Sequence, residues 1–209
     1  MEKLQQMLLA YNNSQEYDIC DYGSWYSIYN AQDFPKYWKI IYKLAERLPR
    51  DLTVLEIGSG LGLVTSIFLY LGFEHICSFE RDGKIANLAD NRLFDLFRVK
   101  NIVCHDNFDK QECLSDLLIM VNCVYTDGIA NKDDYLNKIY SIYNQANKPK
   151  YILLEVIDDS FKETDSCFPD YVRLSKNDIE AIFPDKRIDS WETYKYPINK
   201  RSKTLYYIH

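Results

Sequence analysis

Apolar positions along this chain recur with two spacings, and the two alternate from one segment to the next. Short runs of β-branched and aliphatic residues predict strands at 53–57, 74–80, 101–106, 116–125 and 150–157. The segments between them carry apolar residues at helical spacing, which predicts helices at 63–72, 84–97, 132–147 and 177–183. Such alternation predicts a doubly wound α/β fold whose sheet is mostly parallel.

The two ends of the chain depart from this alternation. Residues 187–196 and 204–208 read as strands on either side of a polar turn, which predicts a closing antiparallel hairpin. Residues 1–10 and 34–48 are predicted helices, and seven of the 18 tyrosines lie between Tyr11 and Tyr42. This aromatic segment either packs on the sheet or forms a helical lid over a bound ligand. The lid residues would be Tyr22, Trp25, Tyr26 and Tyr29.

Composition places the chain among globular proteins of one domain. It has 209 residues, 47% of them hydrophobic, and no apolar run reaches the ~18 residues of a membrane span. Acids outnumber bases by 31 to 25, and the net charge of −6 argues against a nucleic-acid partner. The first residues lack a secretion signal, and the six cysteines form no C-x-x-C pair. We therefore expect a cytoplasmic protein, with Cys77, Cys104 and Cys123 as small apolar residues in core strands.

The most informative stretch joins the strand at 53–57 to the helix that follows it. It reads Thr53-Val-Leu-Glu-Ile-Gly-Ser-Gly-Leu-Gly62, with glycines at three alternate positions and Glu56 two residues before the first. Glycines allow a sharp turn and let a ligand approach the main chain. The next strand ends on Glu80, and an acid at this place accepts hydrogen bonds from ribose hydroxyls. We therefore expect a nucleoside site with a cationic group near Glu56, because a carboxylate would repel a pyrophosphate.

This glycine spacing and its two acids resemble motif I of the class I S-adenosylmethionine-dependent methyltransferases. The resemblance implies a seven-stranded, Rossmann-like domain at 51–209, a lid segment at 1–50, and S-adenosylmethionine as cofactor. It implies that the methionine part of the cofactor lies against Glu56, Gly58, Ser59, Gly60 and Gly62. The spacing differs from the G-x-G-x-x-G of NAD-dependent oxidoreductases, which are an alternative.

The same resemblance assigns the rest of the cofactor to the next two strands. Glu80 would hold the ribose, with Arg81 beside it in the site. Asp106 and Phe108, with Asn107 between them, would contact the adenine, because a carboxylate accepts an amino hydrogen and an aromatic face stacks on the ring.

The predicted fourth strand ends in Asn122-Cys-Val-Tyr125. This resembles the Asp-x-x-Tyr of the seven-stranded protein-lysine methyltransferases, with Asn122, counted as a cofactor-site residue, in place of the acid. The methyl acceptor stays open between a protein or peptide side chain and a small molecule, and between N, O and S nucleophiles. A hydroxyl acceptor needs a base, for which the candidates are Asp127, Tyr125 and His105.

Two other functions compete with this interpretation. A magnesium-dependent O-methyltransferase would bind its metal through Asp127 and one of Asp158, Asp159 and Glu155. The three histidines show no metal-ligand spacing, so no metal site is assigned. A non-catalytic scaffold subunit is the other alternative, because a fold does not fix a function.

Lys203 is expected in a solvated basic turn of the hairpin.

Overall fold

The structure, a computed structural model, describes residues 1–14, 34–106, 108, 113–124, 128–161, 169–196 and 200–209. Some candidate residues lie outside these ranges and keep their roles as predictions only: Tyr22, Trp25, Tyr26, Tyr29, Asn107, Tyr125 and Asp127.

One mixed sheet forms the centre of the molecule. Its strands are β1 (Thr53–Ile57), β2 (His75–Glu80), β3 (Val103–His105), β4 (Leu117–Met120), β5 (Tyr151–Asp158), β6 (Arg173–Leu174), β7 (Ile188–Tyr196) and β8 (Lys200–Ile208). They lie in the order β3-β2-β1-β4-β5-β8-β7, with β6 paired beside β5. Strands β1 to β6 pair in parallel, whereas β8 is antiparallel to both β5 and β7. The predicted α/β fold with a terminal hairpin is confirmed. Strand β6 was not predicted, because a strand of two residues is too short to give a pattern in the sequence.

Helices cover both faces of the sheet. They are α1 (Glu2–Ser14), α2 (Lys36–Ala45), α3 (Thr65–Tyr70), α4 (Gly83–Phe97), α5 (Lys132–Gln145) and α6 (Lys176–Ile182). Side chains cap several of them: Asp82 accepts from two main-chain N–H groups of α4, and Ser175 and Asp178 form a capping box on α6. None of the helices in the described ranges has the length and apolar character that crossing a membrane requires.

The hydrophobic core has two layers, one on each face of the sheet. Alternate residues of a strand point to opposite faces, so Val54 and Leu153 pack with α1, α2 and α3 while Leu55 and Leu154 pack with α5 and α6. Trp38 of α2 is fully buried, and its ring N–H donates to the main-chain oxygen of Leu63 over 3.0 Å. For the described part of the aromatic segment, the packing interpretation therefore holds.

Strand β4 is shorter than the pattern predicted. It ends at Met120, because the chain then adopts positive φ angles of 55° at Asn122 and 72° at Val124, which an extended strand cannot contain. Cys123 accordingly lies in the loop after β4, and its predicted place inside a core strand was wrong. This turn brings the loop across the end of β1, where the glycine stretch begins.

Candidate cofactor and acceptor site

The glycine loop follows β1 and passes over the end of β2. The main-chain N–H groups of Gly58 and Ser59 both donate to the carbonyl oxygen of Phe79, over 2.8 and 3.1 Å. Gly58 has φ +70°, and a Cβ built on it would lie 2.6 Å from the Cβ of Cys123. The Cys123 thiol in turn donates to the carbonyl oxygen of Ile57 over 3.1 Å. Only a glycine allows the loop after β4 to approach this closely.

Glu80 joins the end of β2 to the glycine loop. Its side chain is 9% exposed, and its two carboxylate oxygens accept from the N–H groups of Gly60 and Asp82, over 2.9 and 3.0 Å. Each carboxylate oxygen has two lone pairs, so the group retains capacity for further donors. Glu80 therefore stands where the sequence predicts the ribose acid, at the carboxyl end of a parallel strand.

Glu56 is a buried acid on the neighbouring strand. Its side chain is 3% exposed, and one oxygen accepts from the hydroxyl of Thr65 over 2.5 Å. That hydroxyl also lies 3.0 Å from the hydroxyl of Ser78. Burial raises the pKa of Glu56 to about 8, and the charge of Glu80 adds to the rise. At neutral pH the Glu56 side chain is therefore mostly protonated.

Ser59 provides a third polar group in this loop. Its hydroxyl oxygen is buried and has no hydrogen-bond partner within the described part of the chain. Buried hydroxyls are normally paired, so the Ser59 hydroxyl is available to a polar group of a ligand.

The residues predicted to contact the adenine lie directly after β3, the edge strand next to β2. Phe108 is buried and packs edge-on against Phe79, with ring centroids 5.1 Å apart, while Asp106 is exposed. The exposed ring of His105 lies 3.1 Å from the main-chain oxygen of Arg81. His105 ends β3, so β2 and β1 separate it from β4. The roles of these residues stay predictions.

A second polar cluster lies just beyond the carboxyl end of β4, beside the middle of β5. Glu155 is the first residue of β5 beyond the pair that Leu154 forms with Met120, the last residue of β4. One of its oxygens accepts from the hydroxyl of Thr193 on β7 over 2.5 Å. Nearby, the ammonium of Lys203 on β8 donates to the side-chain oxygen of Asn122.

We define these four residues, Glu155, Thr193, Lys203 and Asn122, as the acceptor-side cluster. The sequence named Asn122 as a cofactor-site residue and Glu155 as a possible magnesium ligand, but it gave no sign that the four residues meet. Lys203 does not lie in a solvated turn: it is partly buried in β8, paired with Ile157. The antiparallel pairing of β8 with β5 brings the cluster together, and no local pattern in the sequence encodes that register.

The acids of the magnesium alternative are differently placed. Asp158 is buried, and its two oxygens accept from the N–H of Ser160 over 3.0 Å and from the hydroxyl of Thr204 over 2.8 Å. No group of three histidine, cysteine or acidic residues suited to a metal occurs among the residues that the structure describes.

The sequence and the structure were compared with those of known proteins, and only the structure gave matches. No protein-family model matches the sequence, and no curated protein matches it. The fold is similar to that of the magnesium protoporphyrin IX methyltransferase ChlM from Synechocystis PCC 6803 with bound SAH, with TM-score 0.66, 14% identity and 99% of each chain covered. An S-adenosylmethionine-dependent methyltransferase from Clostridium acetobutylicum gives TM-score 0.63 and 14% identity, with 90% of this chain and 98% of that one covered.

A third similar structure is the mitomycin 7-O-methyltransferase MmcR, with TM-score 0.54 and 15% identity over 82% of this chain and 53% of that one. Identities this low establish the fold alone. The strand order, the terminal hairpin and these similarities together show that the chain has the class I fold of the S-adenosylmethionine-dependent methyltransferases.

Proposed function

We propose that this protein is an S-adenosylmethionine-dependent methyltransferase acting on a small molecule. The observation that carries the proposal is the pair of buried carboxylates, Glu56 and Glu80, at the carboxyl ends of adjacent parallel strands. The glycine loop passes between them, and ligands of open α/β sheets bind beyond these strand ends.

The residues around the loop fit this cofactor. Glu80 would accept from the ribose hydroxyls, and the main chain at Gly58–Gly62 offers a surface without side chains to the methionine part. Ser59 would contribute its buried hydroxyl, which lacks a partner among the described residues. When bound, S-adenosylmethionine supplies an electrophilic methyl group on a positively charged sulfur.

Glu56 would hold the cationic amino group of the cofactor. A carboxylate buried without a counter-charge is unfavourable, which is why its pKa is raised in the ligand-free protein. A bound cation would reverse this, because an opposite charge favours the ionised form. This property distinguishes the site from a pyrophosphate site, where an ionised Glu56 would repel the ligand.

Two observations support a small molecule as the methyl acceptor. ChlM is named for magnesium protoporphyrin IX and MmcR for mitomycin, and both are small molecules. The acceptor-side cluster lies at the carboxyl end of the sheet beside the glycine loop, and its groups are buried or partly buried. A compact buried site suits a small molecule better than a protein surface.

Calorimetric titration with S-adenosylmethionine, S-adenosylhomocysteine and NAD tests the cofactor assignment. We expect heat of binding with the first two and none with NAD. Methyl-labelled S-adenosylmethionine and the small-molecule fraction of a cell extract then test catalysis. Binding without transfer to any component would support the scaffold alternative, and binding of NAD alone would support an oxidoreductase.

A further inference from the structure

Glu155 differs from the other buried acid of its strand in how its oxygens are used. Asp158 and Glu155 are both 2% exposed. Both oxygens of Asp158 accept hydrogen bonds, whereas Glu155 uses one oxygen for Thr193 and leaves Oε2 without a partner among the described residues. A carboxylate with only a structural role would be expected to pair both oxygens, because an unpaired buried acceptor destabilises the fold.

The position of Glu155 relates it to the glycine loop. Glu155 and Leu153 lie two residues apart on β5 and therefore share a face of the sheet, the face to which Ile119 and Val54 also belong. Glu56 follows Val54 by two residues on β1 and lies on that same face. The two buried acids thus occupy one side of the sheet, near the carboxyl ends of strands separated only by β4.

The loop after β4 connects the two sites. The Cys123 thiol donates to the carbonyl oxygen of Ile57, directly before the glycine loop, over 3.1 Å, and the preceding residue, Asn122, accepts from Lys203. Burial raises the pKa of the Cys123 thiol, and the charges of Glu56, Glu80 and Glu155 raise it further. The acceptor-side cluster is therefore next to the proposed cofactor site and not in a separate region of the molecule.

Lys203 places a positive charge in the same cluster. Its ammonium donates to Asn122, and its pairing with Ile157 places it on the same face of the sheet as Glu155, two residues along β5. Burial lowers the pKa of Lys203, while the Glu155 carboxylate opposes this effect. A carboxylate with one unpaired oxygen and a nearby cation together suit a hydroxyl group, which can donate its proton to the carboxylate and leave a negative oxygen beside the cation.

We propose that Glu155 and Lys203 are the catalytic residues of the acceptor site, where Glu155 removes the proton of a small-molecule hydroxyl and Lys203 stabilises the resulting oxyanion. The inference rests on the proposed methyltransferase function and specifies its acceptor as an oxygen nucleophile. Thr193 is a positioning residue, because its hydroxyl fixes one oxygen of Glu155 and leaves the other for the acceptor.

The charges favour a hydroxyl over other acceptors. Lys203 would repel a protonated amine, and Glu155 would repel a carboxylate acceptor, which needs no base. In the step, the acceptor O–H bond breaks, its proton moves to Glu155 Oε2 and its electron pair stays on oxygen. That pair forms the new O–C bond with the methyl group, while the C–S bond of the sulfonium donor breaks and its electrons remain on sulfur.

The first experiment identifies the bond that is formed. The wild-type protein receives S-adenosylmethionine carrying ¹³C in its methyl group and the small-molecule fraction of a cell extract. The product is treated with base, which releases the methyl group of an ester, and the ¹³C chemical shift of the remaining methyl group shows whether it is bonded to oxygen, nitrogen or sulfur. We expect a methyl ether, which survives base and has the chemical shift of an oxygen-bound methyl group. A labelled ester, amine or thioether would overturn the inference and leave the methyltransferase function standing. No labelled product at all would overturn both.

Variants then test the residues. We expect Glu155→Gln to lower the transfer rate by about 10²-fold or more, the usual effect of losing a general base. Lys203→Met should also lower it, with partial rescue by Lys203→Arg. The control is Asp116→Asn, which removes an acid directly before β4, at the amino end of the parallel strands, that accepts from the N–H of Thr53. All variants should keep wild-type affinity for S-adenosylhomocysteine, which shows that they fold.

A binding measurement provides a readout without turnover. 4-Nitrophenol is titrated into the protein saturated with S-adenosylhomocysteine, and absorbance reports the phenolate anion. We expect the wild-type protein and Asp116→Asn to bind the probe as its anion, and Lys203→Met to lose this signal. Equal signals from the wild-type protein and Lys203→Met, or no binding by either, would refute the role of Lys203.

Discussion

Substitution Glu56→Gln tests the electrostatics of the proposed cofactor site. The pKa of Glu56 rises from 4.5 to about 8 because burial disfavours its charged form. Between these pH values the folded protein holds a proton that the unfolded chain has released. The contribution of Glu56 to the free energy of unfolding is therefore fully present below pH 4.5 and is lost as the pH rises towards 8. At 1.36 kcal/mol per pH unit the total loss is roughly 4–5 kcal/mol.

Glutamine keeps the shape of a protonated glutamate and has no charge to lose. We therefore expect the variant and the wild-type protein to have similar stability at pH 5. At pH 9 the variant should be more stable by several kcal/mol, on the order of the loss calculated for the wild-type protein. Urea denaturation at pH 5, 7 and 9 measures this difference. The matched control is Glu74→Gln, an exposed acid just before β2.

A stability difference between Glu56→Gln and the wild-type protein that stays constant from pH 5 to pH 9 would refute the reasoning. A second measurement concerns the cofactor. If a cation binds beside Glu56, the wild-type protein must release up to one proton on binding at pH 7, because the bound state favours the carboxylate. Calorimetry in two buffers of different ionisation enthalpy detects that proton, and Glu56→Gln should release none.

Three further substitutions test the loop, the ribose acid and the core. Glu80→Ala should weaken S-adenosylmethionine binding by ~1–3 kcal/mol in calorimetry, with exposed Glu74→Ala as the control; unchanged affinity would contradict the ribose assignment. Gly58→Ala should destabilise the fold more than Gly72→Ala in thermal denaturation. Both have positive φ, but only the first would place its Cβ 2.6 Å from another side chain, so equal losses would exclude a steric effect. Trp38→Ala should cost about 3–5 kcal/mol in urea denaturation, since this side chain is fully buried; a loss below 1 kcal/mol would contradict core packing of α2.

The elements of the central sheet could be predicted because each has a local signal. The strand at Thr53–Ile57 consists mainly of β-branched and aliphatic residues, and the glycines after it have positive φ angles that end the strand at a defined residue. The end of β4 could not be predicted, because apolar residues continue to Val124 while the backbone turns at Asn122. That turn depends on contacts with Lys203 and the end of β1, which are distant in sequence.

The two parts of the candidate site differ in the same way. Glu56, the three glycines and Glu80 lie within one βαβ unit, so their spacing along the chain already determined which side chains meet at the strand ends. Glu155 and Lys203 are brought together only by the antiparallel pairing of β5 with β8, in a register that aligns Glu155 with Leu205 and Ile157 with Lys203. A shift of β8 by one residue in that register would turn Lys203 to the face opposite Glu155, and this register is a property that tertiary structure alone decides.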